Sequence, residues 1–391
     1  MNVRRCSTLF LEPCEIARFD LASLLQGGDG MAVRTEIRAW TGHLEGYRVV
    51  SPAQAAWLLQ SSAERWQPLP DDPAQADMVT AMVASGLLLS DSPDSDEQAA
   101  AVREDRTLRR GYWWPLAAVH HRQSRWQAVD SVADMQRNQL VTPADLQRTL
   151  GPAPPATLEA RGQDPALPLP AVPAAALDTL LARRVTCRNF DPQRPLPLAA
   201  LSAVLHQTLQ AQACVEPVPG LTFLKKPVPS AGSLHPTEAF LLLQNVEGVA
   251  PGLYHYHPVE HALRRIEPPG GALPVARELL AGQHWFADAP ALLLLVCRFE
   301  RSLWKYRNHS KVHRAMVLDA GHVSQALYTA ATAQGLGAFV TSAINERDIE
   351  TLLSLDPMRE GPLAICGLGW RGTHRVTAEL DPHATVWPTG S

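Results

Sequence analysis

Apolar and polar positions follow two different spacings in the second half of the chain. Apolar residues with helical spacing predict helices over 174–184, 198–210 and 312–334. Short continuous apolar runs predict buried strands over 239–246, 291–299 and 363–370, and a hairpin over 252–266 with its turn near 258–260. The helix over 312–334 is apolar on nearly all sides, which is typical of a central helix or a subunit interface. This alternation of strands and helices predicts an α+β domain.

The first half of the chain has a weaker pattern. Residues 52–59 have the spacing of a short helix after Ser51, a favourable N-cap residue. Residues 76–89 predict a second helix that breaks at Gly86 and leads into a short strand. We interpret this order as a small winged-helix-like module. The acidic segment 90–101 predicts a mobile loop, and the aromatic-rich segment 112–129 has no assignable periodicity.

A proline-rich stretch over 151–173 separates the two halves. It has no apolar periodicity, and its prolines exclude a helix interior or a central strand. The chain has 391 residues, whereas single hydrophobic cores stop growing near about 250 residues. We therefore predict an N-terminal winged-helix-like domain over 1–150, a linker over 151–173 and a larger α+β domain over 174–391.

Composition excludes several classes of protein. The chain is 46% hydrophobic and 19% charged, which is typical of a globular protein rather than a disordered one. No apolar run reaches the roughly 18 to 20 residues that a membrane span requires, and the N-terminus lacks a signal-peptide core. These features predict a cytoplasmic protein that does not bind membranes. The net charge of −4 argues against nucleic acid as a partner.

Cysteine and lysine usage adds two expectations. The six cysteines are scattered, without the paired spacing of a zinc site, so we predict reduced thiols and no metal. Of the 35 basic residues, only Lys225, Lys226, Lys305 and Lys311 are lysines. This arginine bias is typical of a GC-rich genome. A lysine kept against the bias suggests a role that arginine cannot fill, because arginine stays charged.

Four segments carry residues suited to chemistry. Arg184, Thr186 and Arg188 can converge on one phosphate, although a solvated helix end fits the same spacing. The segment Pro229–Pro236 (PSAGSLHP) lets the backbone approach a flat ligand, and a plain tight loop remains equally compatible. In the Trp304–Arg307 segment (WKYR), Lys305 and Tyr306 can serve as proton donor and acceptor if burial disfavours the charged lysine, or if the neighbouring cation favours the ionised phenol. A surface lysine beside a packed tyrosine is the ordinary alternative.

The fourth segment is glycine-rich and lies in two parts, 335–341 and 367–371. Neither part is a dinucleotide fingerprint, because the G-x-G-x-x-G pattern after a first strand is missing. Both parts are compatible with helix caps and strand ends alone.

Taken in order, these segments resemble the nitroreductase superfamily, and within it the SagB/ThcOx-type peptide dehydrogenases. The resemblance rests on R-x-T-x-R-x-F at 184–190, on PSAGSLHPTE at 229–238 with GLYHY at 252–256, and on WKY at 304–306 followed by LDAGHVSQAL at 318–327. It covers roughly 177–375. One departure is Ala326, where relatives often have asparagine.

The resemblance implies a central mixed or antiparallel sheet flanked by helices, in a homodimer that binds FMN at its interface. On this mapping Arg184, Thr186 and Arg188 hold the FMN phosphate and ribityl chain. The other cofactor-binding residues would be Pro229, Ser230, Ala231, Gly232, Ser233, Gln325, Leu336, Gly337 and Arg371. The helix over 312–334 would lie in the dimer interface.

The implied reaction is oxidation of an azoline ring to an azole in a ribosomally made peptide. A base removes the Cα proton, hydride passes to flavin N5, and O2 reoxidises the flavin. Lys305 and Tyr306 would be the catalytic residues that handle protons. The implied partners are a modified precursor peptide and, in some systems, a cyclodehydratase.

Three alternatives remain open for the N-terminal domain: capture of a leader peptide at a sheet edge, an inert cap over the flavin, or a dimerisation surface. Two rival functions also remain. One is an NAD(P)H-dependent nitro or quinone reductase on the same fold. The other is a flavin-free binding subunit of a biosynthetic complex.

Overall fold

The computed structural model describes residues 1–157 and 167–387, which form two compact units. The first unit consists of Met1–Arg125, Arg298–Arg314 and Asp356–Glu360, and the second contains the rest of the described chain. This division differs from the predicted one, because 126–150 group with the second unit and two C-terminal segments group with the first. Residues 158–166 of the predicted linker, and 388–391, lie outside the described residues.

The strands and helices are numbered in chain order. The strands are β1 (Asn2–Arg5), β2 (Leu9–Phe19), β3 (Met31–Thr41), β4 (Arg48–Val50), β5 (Gln67–Pro68), β6 (Leu88–Ser90), β7 (Ala213–Val218), β8 (Leu221–Lys225), β9 (Thr237–Leu243), β10 (Gly252–His257), β11 (Ala262–Ile266), β12 (Ala291–Arg298), β13 (Gly337–Thr341) and β14 (Glu360–Gly369). The helices are α1 (Leu21–Leu25), α2 (Pro52–Gln60), α3 (Pro73–Ala84), α4 (Asp96–Arg110), α5 (Pro115–Ser124), α6 (Ser131–Arg137), α7 (Pro143–Leu150), α8 (Ala176–Ala182), α9 (Leu198–Thr208), α10 (Ala276–Leu279), α11 (His284–Ala287), α12 (Phe299–Tyr306), α13 (Val312–Ala333) and α14 (Glu346–Leu353).

The first unit contains two small sheets, with strand orders β5-β1-β6 and β2-β3-β4. Helix α2 begins at the predicted N-cap, where the Ser51 hydroxyl accepts a hydrogen bond from Gln54 N and the Gln54 side chain accepts one from Ser51 N. Helix α3 ends before Gly86, whose positive φ of 78° turns the chain into β6. The predicted helix, break and strand are therefore confirmed.

For the first half, one prediction was wrong and one element was missed. The segment 90–101 is not a loop throughout, because α4 begins at Asp96 with the Ser95 side chain capping Gln98 N at 3.2 Å. The long hairpin of β2 and β3 was not predicted. The residues near the β2–β3 turn are exposed on both faces of the hairpin, so the apolar alternation that identifies a strand is absent there.

The second unit is built on a six-stranded sheet of order β11-β10-β9-β12-β14-β13. Alternate residues of its central strands enter two separate cores. Leu241 and Leu293 lie in one core, whereas Leu242 and Leu292 lie in the other. Burial on both faces explains why these strands are continuous apolar runs in the sequence. The predicted α+β fold class is confirmed, and the short hairpin of β7 and β8 was not predicted.

Helix α13 has the predicted position but is not covered on all sides. An exposed stripe at helical spacing runs along it, formed by Val317, Leu318, Gly321, His322 and Gln325. Val317 and Leu318 are 48% and 57% exposed. Within the described ranges, no helix is both long and apolar enough to cross a membrane.

Candidate functional site

The phosphate-type motif lies on an extended segment after α8. Val185 and Cys187 are buried, whereas Arg184, Thr186 and Arg188 between them are partly exposed. Burial therefore alternates along this segment, and the Arg188 guanidinium lies 6.0 Å from the centre of the Phe286 ring. The backbone is held against β13, because Cys187 N donates to the Ala338 carbonyl at 2.9 Å.

Tyr328 of α13 connects two residues of this motif. Its hydroxyl lies 3.0 Å from the Thr186 hydroxyl and accepts a hydrogen bond from Val340 N at 3.2 Å. The Arg184 guanidinium lies 5.3 Å from the centre of the Tyr328 ring. Burial raises the pKa of Tyr328, so its phenol stays protonated near neutral pH. The sequence reasoning did not single out Tyr328, because it lies outside the quoted motifs.

A C-terminal segment closes over the other end of the motif. The buried Glu379 carboxylate accepts hydrogen bonds from the backbone N atoms of Arg188 and Asn189 at 2.5 and 3.1 Å. It also bonds the Arg371 guanidinium and accepts from the Trp387 indole at 2.8 Å. These contacts fix the backbone of the motif, and the Arg188 guanidinium also donates to the Ala378 carbonyl at 3.4 Å.

The predicted cofactor residue Arg371 is already engaged by protein groups. Its guanidinium bonds Glu379 and donates to the Val185 carbonyl at 2.6 Å. Arg371, which follows β14, therefore connects this strand to the segment that contains Arg184, Thr186 and Arg188. Its place among the cofactor ligands stays a prediction.

The predicted loop 229–236 is fastened to α13 by Asp319, which is 5% exposed. The Ser230 hydroxyl donates to Asp319 Oδ2 at 2.6 Å, and Ala231 N donates to Oδ1 at 3.2 Å. The Pro229 carbonyl contacts His322 Nδ1 at 3.2 Å. Asp319 stands in the LDAGH run but was not proposed as a site residue. An acidic residue among apolar ones in a long helix was the available signal.

The loop has an unusual backbone. Gly232 and Ser233 have positive φ values of 61° and 56° in a single 3-10 turn, and His235 has 45°. Only glycine adopts this region readily, so the fold holds the two other residues there. The loop pairs its own backbone N–H groups: Ser233 N donates to the Ser230 carbonyl at 3.0 Å, and His235 N donates to the Ser230 hydroxyl at 2.9 Å.

Three further predicted residues lie on or beside α13 and β13. Gly337 is packed so closely that an added Cβ would lie 2.7 Å from Cys187 Cβ. Leu336 is buried at 5% exposure, and Gln325 is exposed with its side chain directed at Thr329 Oγ1, 3.5 Å away. Burial raises the pKa of Cys187 to about 12, so this thiol stays protonated.

One helix, α13, holds two of the predicted cofactor-binding segments. Asp319 holds the 229–236 loop and Tyr328 holds the extended motif, and nine residues of α13 correspond to about 13 Å along the axis. Lys305 and Tyr306 are not part of this group. They end α12 and belong to the first compact unit.

The predicted proton-transfer pair is adjacent, with Lys305 Nζ 5.4 Å from the centre of the Tyr306 ring. Lys305 is exposed and Tyr306 is half-buried. Burial of Lys305, one of the two conditions considered for this pair, is therefore not present in the described chain. No group of three or more metal-binding side chains occurs among the described residues.

Comparison with known proteins identifies relatives of the second half of the chain. The model of the nitroreductase family matches residues 181–370. The nitroreductase-like protein MJ1384 of Methanocaldococcus jannaschii is 30% identical over 205 residues, which are 51% of this chain and 94% of that protein.

Two other relatives are named for peptide processing. The trifolitoxin-processing protein TfxB of Rhizobium leguminosarum bv. trifolii is 32% identical over 36% of this chain and 38% of its own length. The microcin B17-processing protein McbC of Escherichia coli is 29% identical over 45% of this chain and 63% of its own length. The chain thus spans less than two thirds of either peptide-processing relative. The matched range, and the near-complete coverage of MJ1384, show that the chain belongs to the nitroreductase family, an oxidoreductase family.

Proposed function

We propose that this protein is an FMN-dependent dehydrogenase that oxidises azoline rings of a ribosomally made peptide to azoles. The observation that carries the proposal is the adjacent Lys305–Tyr306 pair at the end of α12 in a nitroreductase-family chain. Similarity to two proteins named for peptide processing supports a peptide as the substrate. A partner that forms the azoline, of the cyclodehydratase type, belongs to the same proposal.

The residues of the second unit fit an FMN molecule. Arg184, Thr186 and Arg188 offer two permanent cations and a hydroxyl within five residues, which is a donor set that suits a phosphate. The loop over Ser230–Ser233 is a short turn of small residues held against α13. Bound there, FMN would supply the two-electron acceptor for the hydride.

The chain's own part in the reaction is to orient the peptide and to move one proton. The proton on the ring carbon next to the peptide carbonyl passes to Lys305 or Tyr306, while the hydride leaves the neighbouring ring carbon. Two hydrogens leave the ring and one carbon–carbon double bond forms, which completes the aromatic azole. Because Lys305 is exposed, we infer that the peptide or a partner subunit covers it during catalysis.

The test combines cofactor content with product analysis. We expect the purified protein to show a flavin absorbance spectrum and to remove two hydrogen atoms from a thiazoline-containing peptide, measured by mass spectrometry. Lys305→Ala and Tyr306→Phe should retain FMN and lose at least about 100-fold in turnover, the contribution usual for a positioned acid or base.

Lys311→Ala provides the matched control, because Lys311 is another exposed lysine of the same segment. Full turnover in both Lys305→Ala and Tyr306→Phe would contradict the proposed roles of these residues. A protein that purifies without flavin would instead favour a flavin-free binding subunit.

One observation favours a second candidate function. MJ1384, of which this chain covers 94%, is named as a nitroreductase-like protein. An NAD(P)H-dependent nitro or quinone reductase would consume NADH with a nitroaromatic acceptor and would leave the azoline peptide unchanged. This activity should not depend on Lys305.

A further inference from the structure

Helix α12, which carries Lys305 and Tyr306, packs within the first compact unit. Phe299, at the start of α12, lies edge-on to the Trp113 and His121 rings with centroid distances of 5.1 and 4.7 Å. Trp113 in turn stacks on His121 at 5.3 Å. This aromatic contact covers the side of α12 that contains the buried Ser302 and Leu303.

The aromatic contact is itself fixed by hydrogen bonds. The Trp113 indole donates to the Met358 carbonyl at 2.8 Å, and His121 Nε2 contacts the Pro357 carbonyl at 2.7 Å. Because a carbonyl only accepts, this ring nitrogen carries the proton. The three aromatic rings therefore form a rigid support under the first turn of α12.

The last turn of α12 has a separate attachment. The Arg307 guanidinium lies 4.2 Å from the centre of the Tyr112 ring. In the amide orientation that gives both of its side-chain atoms suitable partners, Asn308 Nδ2 donates to the Tyr112 and Trp113 carbonyls at 2.9 and 3.0 Å. These contacts come directly after Lys305 and Tyr306 in the chain.

Both partners of the Arg307–Tyr112 contact have an unusual backbone. Tyr112 has a φ of 56° and Arg307 a φ of 45°, in the region that bulky residues rarely adopt. Such conformations persist when the surrounding structure holds them, and they cluster at functional sites. Here they occur at two facing turns that join α12 to residues from the N-terminal half.

We propose that the Tyr112–Trp113 turn is a positioning element for Lys305 and Tyr306. The inference rests on the proposed dehydrogenase function and assigns part of the N-terminal half a role that is neither a leader site nor an inert cap. Attachment at both ends of α12 fixes the backbone of the pair, while the Lys305 side chain remains exposed. A small displacement of such a group lowers the rate without weakening substrate binding.

The test uses Asn308→Asp, which keeps the side-chain size but replaces the donating amide by a carboxylate. It also uses Tyr112→Ala, which removes the ring under Arg307, and Tyr112→Phe, which retains it. We expect the first two variants to keep FMN content, to lower kcat by about tenfold or more and to leave KM within about twofold. Tyr112→Phe should retain the wild-type kcat.

Amide hydrogen exchange of residues 299–308 provides a readout that needs no substrate. We expect faster exchange there in Asn308→Asp and Tyr112→Ala, but not in Tyr112→Phe. Asn138→Asp is the matched control, because Asn138 donates to the Asp134 carbonyl at the exposed end of α6.

Unchanged exchange in the first two variants would overturn the attachment, whatever the reaction of the wild-type protein. Faster exchange with unchanged kcat would overturn the positioning role. Failure of the wild-type protein to oxidise an azoline would overturn the proposed function instead, so the two failures are distinguishable.

Discussion

Ser230 donates its hydroxyl hydrogen to Asp319 across 2.6 Å, and the two residues are separated by 89 positions in the chain. The same carboxylate accepts from Ala231 N, so one buried group of α13 holds the start of the 229–236 loop. The serine hydroxyl is thereby turned toward the helix and also accepts from His235 N at 2.9 Å. Ser230 thus shapes the loop through both its donated and its accepted hydrogen bond.

Asp319→Asn should weaken FMN binding by about tenfold, because it replaces charge-assisted hydrogen bonds to the loop with neutral ones worth roughly half as much. Fluorescence titration of the apoprotein with FMN measures the affinity, and hydrogen exchange at 230–235 reports the loosened loop. Asp288→Asn, at an exposed helix end, is the control. Equal FMN affinity in wild type and Asp319→Asn would show that the loop does not need this anchor.

Glu379→Gln should strongly destabilise the second unit. The Glu379 side chain is fully buried and accepts from five donors, which are Arg188 N, Asn189 N, Asn189 Nδ2, an Arg371 nitrogen and Trp387 Nε1. An amide in this place directs hydrogens at donors and leaves Arg371 without its counter-charge. Breaking a buried pair in this way costs about 3 to 5 kcal/mol.

Thermal or denaturant unfolding measures this loss for Glu379→Gln. Glu267→Gln is the control, since Glu267 pairs with Arg265 at the surface and exposed pairs contribute about 1 kcal/mol or less. If Glu379→Gln lowers the free energy of unfolding no more than the control does, the C-terminal segment does not stabilise the motif through Glu379.

His43 should make the first unit sensitive to acid. Burial lowers the pKa of His43 from 6.5 to about 4; Arg122 and Arg48 lower it further, and Asp105 opposes them. His43 Nε2 donates to the Gly86 carbonyl at 3.0 Å, while Nδ1 is buried with no hydrogen-bond partner in the described residues. A second proton would therefore be added to a site without an acceptor.

Because the folded pKa is lower than the unfolded one, the unfolded chain binds the proton first as pH falls. The free energy of unfolding should decrease between pH 6.5 and about pH 4, by up to about 1.4 kcal/mol per pH unit for this one group. In His43→Gln the slope of the free energy of unfolding against pH should lose the contribution of this one proton. His374→Gln, at an exposed position, should retain the wild-type slope, and a parallel profile for His43→Gln would refute the assignment.

The exposed stripe of α13 predicts the oligomeric state. If Val317 and Leu318 lie in a homodimer interface, Leu318→Glu introduces a carboxylate into an apolar contact and should weaken association at least tenfold. Analytical ultracentrifugation should show a dimer for the wild type and a shift to monomer for the variant. Leu273→Glu, at another exposed leucine, should leave the dimer intact. A monomeric wild type would contradict the prediction.

Local features of the site could be predicted from the sequence because their physical basis is local. Arg184, Thr186 and Arg188 are alternate polar positions in the sequence, and Val185 and Cys187 between them are buried in the structure. The helix breaks at Gly86 and Gly335 also follow from single residues, since both have positive φ.

The residues that hold the site in place could not be predicted in this way. Asp319, Tyr328 and Glu379 act on motifs between 88 and 191 positions away. Only the path of the chain decides which of many polar residues meets a given loop. The helix α12, which ends at Tyr306, was not predicted for a related reason. It is stabilised by aromatic contacts with Trp113 and His121, which lie far away in the sequence.

The sequence by itself determined the family, the strands buried on both faces, the long helix α13 and the order of the motifs, because apolar spacing and short motifs are properties of neighbouring residues. The tertiary structure decided which motif each buried polar group supports. It also grouped Lys305 and Tyr306 with residues from the N-terminal half. The reason is that a buried carboxylate or a ring contact needs partners that converge in space, and sequence spacing does not encode that convergence.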